Sequence, residues 1–438
     1  VKNLNSFVKL ALLGLIIRLL TAFFTHPWDI QTFYNFFVDL ARNISPYDTM
    51  MYLSSFARAY VGPGWDYNFE YYAYPPLPIL IYYLPAKLFG LLHPNIDYSF
   101  VVSHAAPVLK VPWDFNFFFK IPLIISDIAI AWLLSKRLDL YRAKSFLLNP
   151  YVILISASWM FDSLMTLFLL LSMLAIEKNK LNWGSFFLGL GAMTKFVPWF
   201  VFPAILIYLI KKETSLRSFL AFIAVFVATN LVFILPFFDG FLFVLDFHAS
   251  RVGSGLTPQL LVQQLPYYLS NNYINFDTLL PIYHFVIPNV SLMIFIIGML
   301  FIYYLIAKRS FSLNQTVLVS LLGYLIFNKI VNEQYIFVML PFLLIDLKEH
   351  PGKIKNLLYT LLWVLPLCFA IVNVPITGFA LPMLRSFNLD TSSVLLYSDW
   401  VSGASIRLWY LRLVALTFTA VTLCYTWYTV KKANNETS

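Results

Sequence analysis

Apolar runs long enough, or nearly long enough, to cross a bilayer follow one another along almost the whole chain, separated by short polar stretches. About 20 apolar residues make one helical crossing. The runs are continuous rather than alternating, and only helices or closed barrels satisfy every backbone group in lipid. The pattern therefore predicts helices over 7–24, 117–134, 146–159, 164–176, 183–193, 197–210, 219–237, 286–307, 316–327, 335–345, 357–372 and 408–430. A further apolar run, 75–92, is interrupted by several prolines and Lys87.

Basic residues gather at the ends of these runs: Lys136, Arg137, Arg142 and Lys144; Lys178 and Lys180; Lys211, Lys212 and Arg217; Lys308 and Arg309; Lys348, Lys353 and Lys355; Lys431 and Lys432. If 75–92 lies at the interface or re-enters, all of these clusters share a side with Lys2 and Lys9. Positive charge in short loops marks the cytoplasmic face, so the pattern predicts about twelve crossings with both termini cytoplasmic. The fold expected is an all-α polytopic membrane protein with interfacial helices in a large first external loop. Three long segments fall on the outer face, 25–116, 239–285 and 375–407, all richer in aromatic residues, Pro and Asn than in charge. Low-charge aromatic loops of this length are expected to fold and carry function. Two sections are expected: residues 1–345 with the first two external loops, and the C-terminal helices of 346–438 with the third.

Composition agrees. Of 438 residues, 60% are hydrophobic and 12% charged, and mean hydropathy is +0.75. A soluble domain carries about 25% charged residues. The formal charge of +9 is distributed as basic span ends, which argues against a nucleic-acid partner. Cys368 and Cys424 sit inside apolar runs with no metal-ligand spacing, and read as buried thiols.

Candidate chemistry concentrates on the outer side. Asp29, in HPWDIQTFY beside Trp28, follows the first span at the water–lipid boundary, where a carboxylate suits a general base; an interfacial helix end is the plainer reading. Asp66 and Glu70 precede Tyr74-Pro75-Pro76, a sharp entry into 75–92. Asp127 lies inside a span and must face a partner or a wet cavity; Arg18 in the first span pairs inward or snorkels. Asp162 in SWMFDS and Lys195 in MTKFVPW occupy outer hairpins, with Lys195 calling for an anionic partner: Asp162 or a lipid-linked phosphate. His248 and Arg251 lie in the second external loop. Glu333 and Gln334 in FNKIVNEQY form a polar knot, either a capped hairpin or a surface for sugar hydroxyls. No Walker A, GxGxxG, HExxH or GxSxG motif is present, so neither a soluble nucleotide-sugar site, nor a metal, nor any other cofactor is implied.

The order SPYD, YAYPPL, FFKIPLIISDIAIAWLL, LLNPYVILISASWMFDS, GLGAMTKFVPWFVFP and NKIVNEQYIFVMLPF resembles the GT-C superfamily of polyprenyl-phosphate-sugar glycosyltransferases. It is especially similar to dolichyl-phosphate-mannose-dependent mannosyltransferases of the GPI mannosyltransferase I type and their prokaryotic relatives. The resemblance implies a polyprenyl- or dolichyl-phosphate sugar donor, a lipid-linked or protein acceptor, and an active site on the external or luminal face. It makes Asp29 the base in an inverting transfer, with Lys195, His248 and Arg251 on the donor phosphate and Trp28, Tyr74, Asp162, Glu333 and Gln334 lining the cavity. That family carries paired acids in this loop, whereas Asp29 stands in WDIQ with no second acid two residues on; a metal-free, single-base mechanism is the simpler expectation. Mannose is the sugar implied. A transporter or lipid flippase, and a non-catalytic subunit of a glycosylation complex, are the competing readings. The first predicts matched halves with midplane sites, which the chain lacks; the second predicts that Asp29 is dispensable.

Overall fold

The computed structural model describes residues 2–27, 29–52, 72–97, 111–158, 161–250, 254–259, 287–374, 376–392 and 404–435. These residues are helical apart from one two-residue strand pair. Six helices are long and apolar enough to cross a membrane: Leu4–Thr21, Phe115–Arg137, Leu216–Ala249, Asn289–Lys308, Lys353–Asn373 and Trp409–Lys432. A seventh span follows if the bent pair Pro150–Ala157 and Asp162–Glu177 counts as one. The protein is thus an integral, multi-pass membrane protein. Large apolar side chains on the outsides of these helices, such as Leu12, Ile16 and Leu20 on the first and Met293, Ile297 and Leu300 on the fourth, are exposed, as lipid contact requires.

Two compact units make up the chain. The first comprises Val1–Leu164, Leu231–Leu245 and Ile371–Ala404. In it α1 (Lys2–Thr21) packs on α4 (Phe115–Arg137), while α2 (Asp29–Ala41) lies on α3 (Leu77–Leu92), itself against α4. So the described part of the first long loop is folded. The end of α2 is closed by Asn43 in the left-handed region, φ 60°, and by the Lys87 amine, which donates to the Ala41 carbonyl at 2.6 Å; a cation there also complements the helix dipole.

The apolar stretch 146–159 is broken where one span was expected. Helix α5 (Leu140–Leu147) ends and, after two intervening residues, α6 (Pro150–Ser158) begins. Proline disfavours a helical residue before it, and the Asn149 side chain instead accepts from the Tyr151 amide at 2.9 Å, so the chain restarts as a new capped helix.

The second unit comprises Met165–Asn230, Asp246–Ala370 and Ser405–Ser438. Of α7 (Asp162–Glu177) it takes the residues from Met165 on; α8 (Leu181–Thr194) and α9 (Val197–Lys211) lie wholly within it; of α10 (Leu216–Ile234) and α11 (Phe238–Ser250), which a 3-10 turn joins, it takes the residues up to Asn230 and from Asp246. The first residues of the expected loop 239–285 are thus helical up to Ser250. Helix α12 (Ile287–Lys308) packs on α13 (Leu313–Phe327), which also contacts α9. Every residue of α13 from Leu313 to Ile326 is buried, as a helix apolar on all sides should be. Glycines let α12 and α13 approach: a Cβ on Gly298 would lie 2.1 Å from the Phe327 ring, and one on Gly323 2.4 Å from Ile302, the small-residue contact common between membrane helices.

The expected span 335–345 is also divided. Residues Glu333–Met339 form a 3-10 segment and α14 (Leu340–Glu349) follows, with Pro341 in its first turn. An α-helix running through Pro341 would lose a backbone hydrogen bond and clash; restarting at Leu340 avoids both. Beyond it lie α15 (Lys353–Asn373), the short α16 (Leu381–Ser386) and α17 (Ala404–Asn435).

Candidate functional site

Asp29 opens α2. Its carboxylate therefore sits at the positive end of the helix dipole, with 22% of the side chain exposed. His26 Nδ1 lies 3.0 Å from Asp29 Oδ2 and 3.3 Å from the Asp29 amide nitrogen. One nitrogen cannot donate to the carboxylate and accept from the amide at once, so its protonation selects the contact. The turn that carries this pair is fastened at several points. The buried Lys120 amine donates to the Ala22 carbonyl at 2.6 Å and to that of Phe24, the Thr25 amide donates to the Phe379 carbonyl at 3.0 Å, and the His26 ring stands 6.0 Å from the Phe379 ring. Lys120 is buried and does not project to the surface; it satisfies carbonyls freed where α1 ends.

Phe33, one turn along α2 from Asp29, enters an aromatic cluster. Phe33 packs edge-on to Phe161 at 5.7 Å and against Phe119 at 4.8 Å, and the Tyr74 ring meets Phe161 edge-on at 5.1 Å. Tyr74 is held through its backbone: the Tyr47 hydroxyl donates to its carbonyl at 2.7 Å, and the Tyr72 hydroxyl donates to the Pro75 carbonyl at 2.9 Å. Asp162 is fully buried in the first turn of α7.

The intramembrane charges pair with each other. Arg18 Nε donates to Asp127 Oδ2 at 2.6 Å, and Arg18 Nη1 donates to the Leu147 carbonyl at 3.0 Å. The hydroxyls of Ser156 and Ser163 also donate to the Asp127 carboxylate. Asp127 thus accepts three hydrogen bonds, two on Oδ2 and one on Oδ1, and the network reads as structural.

A second cluster of sequence-derived residues forms within the second unit. Lys195 ends α8 in extended conformation, is 6% exposed, and places its ammonium 5.0 Å from the Tyr335 ring centre, a cation–π contact. Its neighbour Phe196 meets the His248 ring edge-on at 5.5 Å. Residues 327–335 are stitched to the segment after α11: strand β1 (Ser254–Gly255) pairs in parallel with β2 (Ile330–Val331). The Lys329 amine donates to the Ala249 carbonyl, the Thr257 hydroxyl to the Asn328 carbonyl at 3.0 Å, and the Gln259 side-chain amide to the Phe327 carbonyl at 3.0 Å. The polar knot is thus a junction with the segment that follows α11. Glu333 and Gln334 are both 5% exposed, and the Gln334 amide oxygen accepts no hydrogen bond among the described residues. A buried acceptor is ordinarily paired, so this one stands ready for a hydroxyl.

Asp29, Tyr74 and Asp162 therefore belong to the first unit, and Lys195, His248, Glu333 and Gln334 to the second. Trp28, Arg251, Asp66 and Glu70 lie outside the described residues. His26 was not singled out from the sequence, although its place three residues before an acid at a helix start is the signal that finds it. Among the described residues, no group of three or more His, Cys, Asp or Glu side chains could hold a metal ion.

No family model matches the chain. Over 159 aligned residues it is 29% identical to GPI mannosyltransferase 1 of Candida albicans, a stretch covering 33% of this chain and 40% of that protein.

Proposed function

We propose that the protein is an inverting glycosyltransferase that moves a sugar, mannose on the present similarity, from a polyprenyl- or dolichyl-phosphate carrier to a lipid- or protein-linked acceptor. The observation that carries this reading is Asp29: a partly exposed carboxylate at a helix N-terminus, 3.0 Å from an imidazole nitrogen, on a turn fastened by Lys120. The partial likeness to a mannosyltransferase supports the reaction class. In the reaction, the Asp29 carboxylate takes the proton of an acceptor hydroxyl as that oxygen bonds to the anomeric carbon. The bond from that carbon to the phosphate oxygen breaks, and polyprenyl phosphate leaves from the opposite face. His26 holds the carboxylate in position. Lys195, His248 and Arg251 meet the charge growing on the departing phosphate, while Gln334 and Glu333 bind sugar hydroxyls and Tyr74, Trp28 and Asp162 line the cavity.

The topology that fits is about twelve crossings, with the shorter apolar helices such as Val197–Lys211 and Leu313–Phe327 spanning as well. Both termini are then cytoplasmic and the active site external or luminal. The test is sugar transfer by purified protein from radiolabelled polyprenyl-phosphate mannose to membrane lipid extract, with Asp29→Asn as control. Transfer that survives in a folded Asn variant removes Asp29 as the base; absence of transfer from any polyprenyl-phosphate sugar leaves a transporter or a complex subunit.

A further inference from the structure

At one end of the second unit, α9, α12 and the start of α13 enclose a cavity of about 310 Å³ lined by Tyr208, Lys211, Lys212, Ile306, Arg309, Ser310, Phe311, Ser312 and Thr316. Its chemistry is one-sided. Lys211, Lys212 and Arg309 line it and no carboxylate does, nor does any described acid form an ion pair with these three residues. Lys211 already has a task, because its amine donates to the Ile306 carbonyl at 3.2 Å and to that of Arg309, closing the C-terminus of α12. Lys212 lies 5.9 Å from the Tyr208 ring. Lys212 and Arg309 are exposed, whereas Ile306, Phe311 and Thr316 form a buried floor.

Ser312, the N-cap of α13, lines the same cavity; it and Gln315 cap each other reciprocally. The helix dipole adds to the positive field of the cations. Cations that no described acid pairs with, the exposed Ser312 hydroxyl and the start of a helix around a cavity large enough for a small ligand suit an oxyanion of the phosphate kind. The apolar floor suits the glycerol and first methylenes behind it.

We propose that this cavity is a binding site for a phosphate ester, either an anionic phospholipid headgroup or a soluble phosphomonoester, served by Lys212, Arg309, Ser312 and the N-terminus of α13. It stands independently of the sugar-transfer reading, because none of its residues belongs to that machinery.

The test uses the full chain in nanodiscs or detergent. Phosphatidylglycerol and phosphatidylcholine with identical acyl chains serve as lipid probes, followed by native mass spectrometry, and radiolabelled glycerol 3-phosphate serves as the soluble probe, followed by equilibrium dialysis. The variant Lys212→Gln with Arg309→Gln removes two exposed charges and leaves the Lys211 cap in place. Lys178→Gln with Lys180→Gln removes the same charge from another basic cluster. We expect saturable binding that prefers phosphatidylglycerol to phosphatidylcholine, or that takes glycerol 3-phosphate, weakened about 10-fold or more in the first variant and unchanged in the second. Binding of the lipid alone assigns the site to a headgroup, and binding of the soluble ester assigns it to a free metabolite-sized ligand. Equal losses in the two variants would show a diffuse surface field, and no saturable binding of either probe, or binding indifferent to Lys212 and Arg309, would overturn the site. Should the double variant lose its fold, Arg309→Gln alone carries the same comparison.

Discussion

At the scale of single residues, the contrast between Asp29 and Asp127 is instructive. Both are acids beside or within apolar helices, and the sequence offered either as functional. Asp29 keeps part of its carboxylate open and has one imidazole neighbour; Asp127 is wholly buried beneath Arg18, Ser156 and Ser163. General base catalysis contributes roughly 10²–10⁴-fold, so Asp29→Asn should lower sugar transfer by about that factor with no change in thermal midpoint. Asp127→Ala should do the reverse. Removing one member of a buried ion pair costs about 3–5 kcal/mol, to be read as a lowered thermal midpoint in detergent, and the paired change Arg18→Met with Asp127→Leu should recover most of it. A full recovery of stability by Asp127→Ala alone would contradict the network. The existence of these charges was legible in the sequence; their pairing was not, because Arg18 and Asp127 stand 109 positions apart and no local spacing links them. His26 was legible in principle, by its three-residue offset from Asp29.

Among elements, six or seven of the twelve expected crossings are long and apolar enough to stand as spans, and two of the breaks fall at prolines. Pro150 divides the stretch 146–159, and Pro341 sits where the 3-10 segment gives way to α14. Span counting by hydropathy averages over such breaks, since proline is apolar to that measure while its missing donor is a backbone matter. The junction between β1 and β2 shows the same limit. Gly255 there has φ +82°, and a Cβ would fall 2.2 Å from the Val331 carbonyl oxygen, so Gly255→Ala should disrupt the junction and, if that junction supports the donor site, raise the donor KM more than it lowers kcat. A stronger tie joins α14, α15 and α17. Asp346 accepts from the Lys355 amine at 2.7 Å and the Tyr425 hydroxyl at 2.7 Å, and its other oxygen lies 3.0 Å from His350 Nδ1. Burial alone would push this carboxyl up, but the hydrogen bonds from His350, Lys355 and Tyr425 and the charge of Lys355 outweigh it and hold the carboxyl below its ordinary value. A depressed acid contributes stability that is present above its unfolded value and is lost as pH falls through the folded one. Thermal midpoints of the wild type should therefore drop on acidification below about pH 4, and Asp346→Asn should flatten that part of the profile while lowering stability at neutral pH.

For the molecule as a whole, the charge asymmetry of the loops makes a claim that labelling can check. In a background lacking Cys368 and Cys424, Lys178→Cys and Lys353→Cys should react with an impermeant maleimide from one side and Asp390→Cys from the other; all three labelling from one side would refute the proposed topology. The pairing of Arg18 with Asp127 has a further consequence in time rather than space. The ribosome makes Arg18 long before it makes Asp127, and at about 5–20 residues per second the first helix waits on the order of 5–20 s for its counter-charge. Arg18 stands in the last turn of α1 and opposes insertion by less than the roughly 2.5–3.5 kcal/mol of an arginine at a helix centre, so α1 is born as a less settled membrane segment and becomes a settled one when α4 arrives beside it. Nascent chains arrested before residue 111 should be extracted by alkali, and chains arrested beyond residue 164 should resist. Biogenesis of the protein then has a checkpoint written into one ion pair, and a variant at Asp127 should lower the yield of inserted chains during synthesis as well as the stability of those that mature.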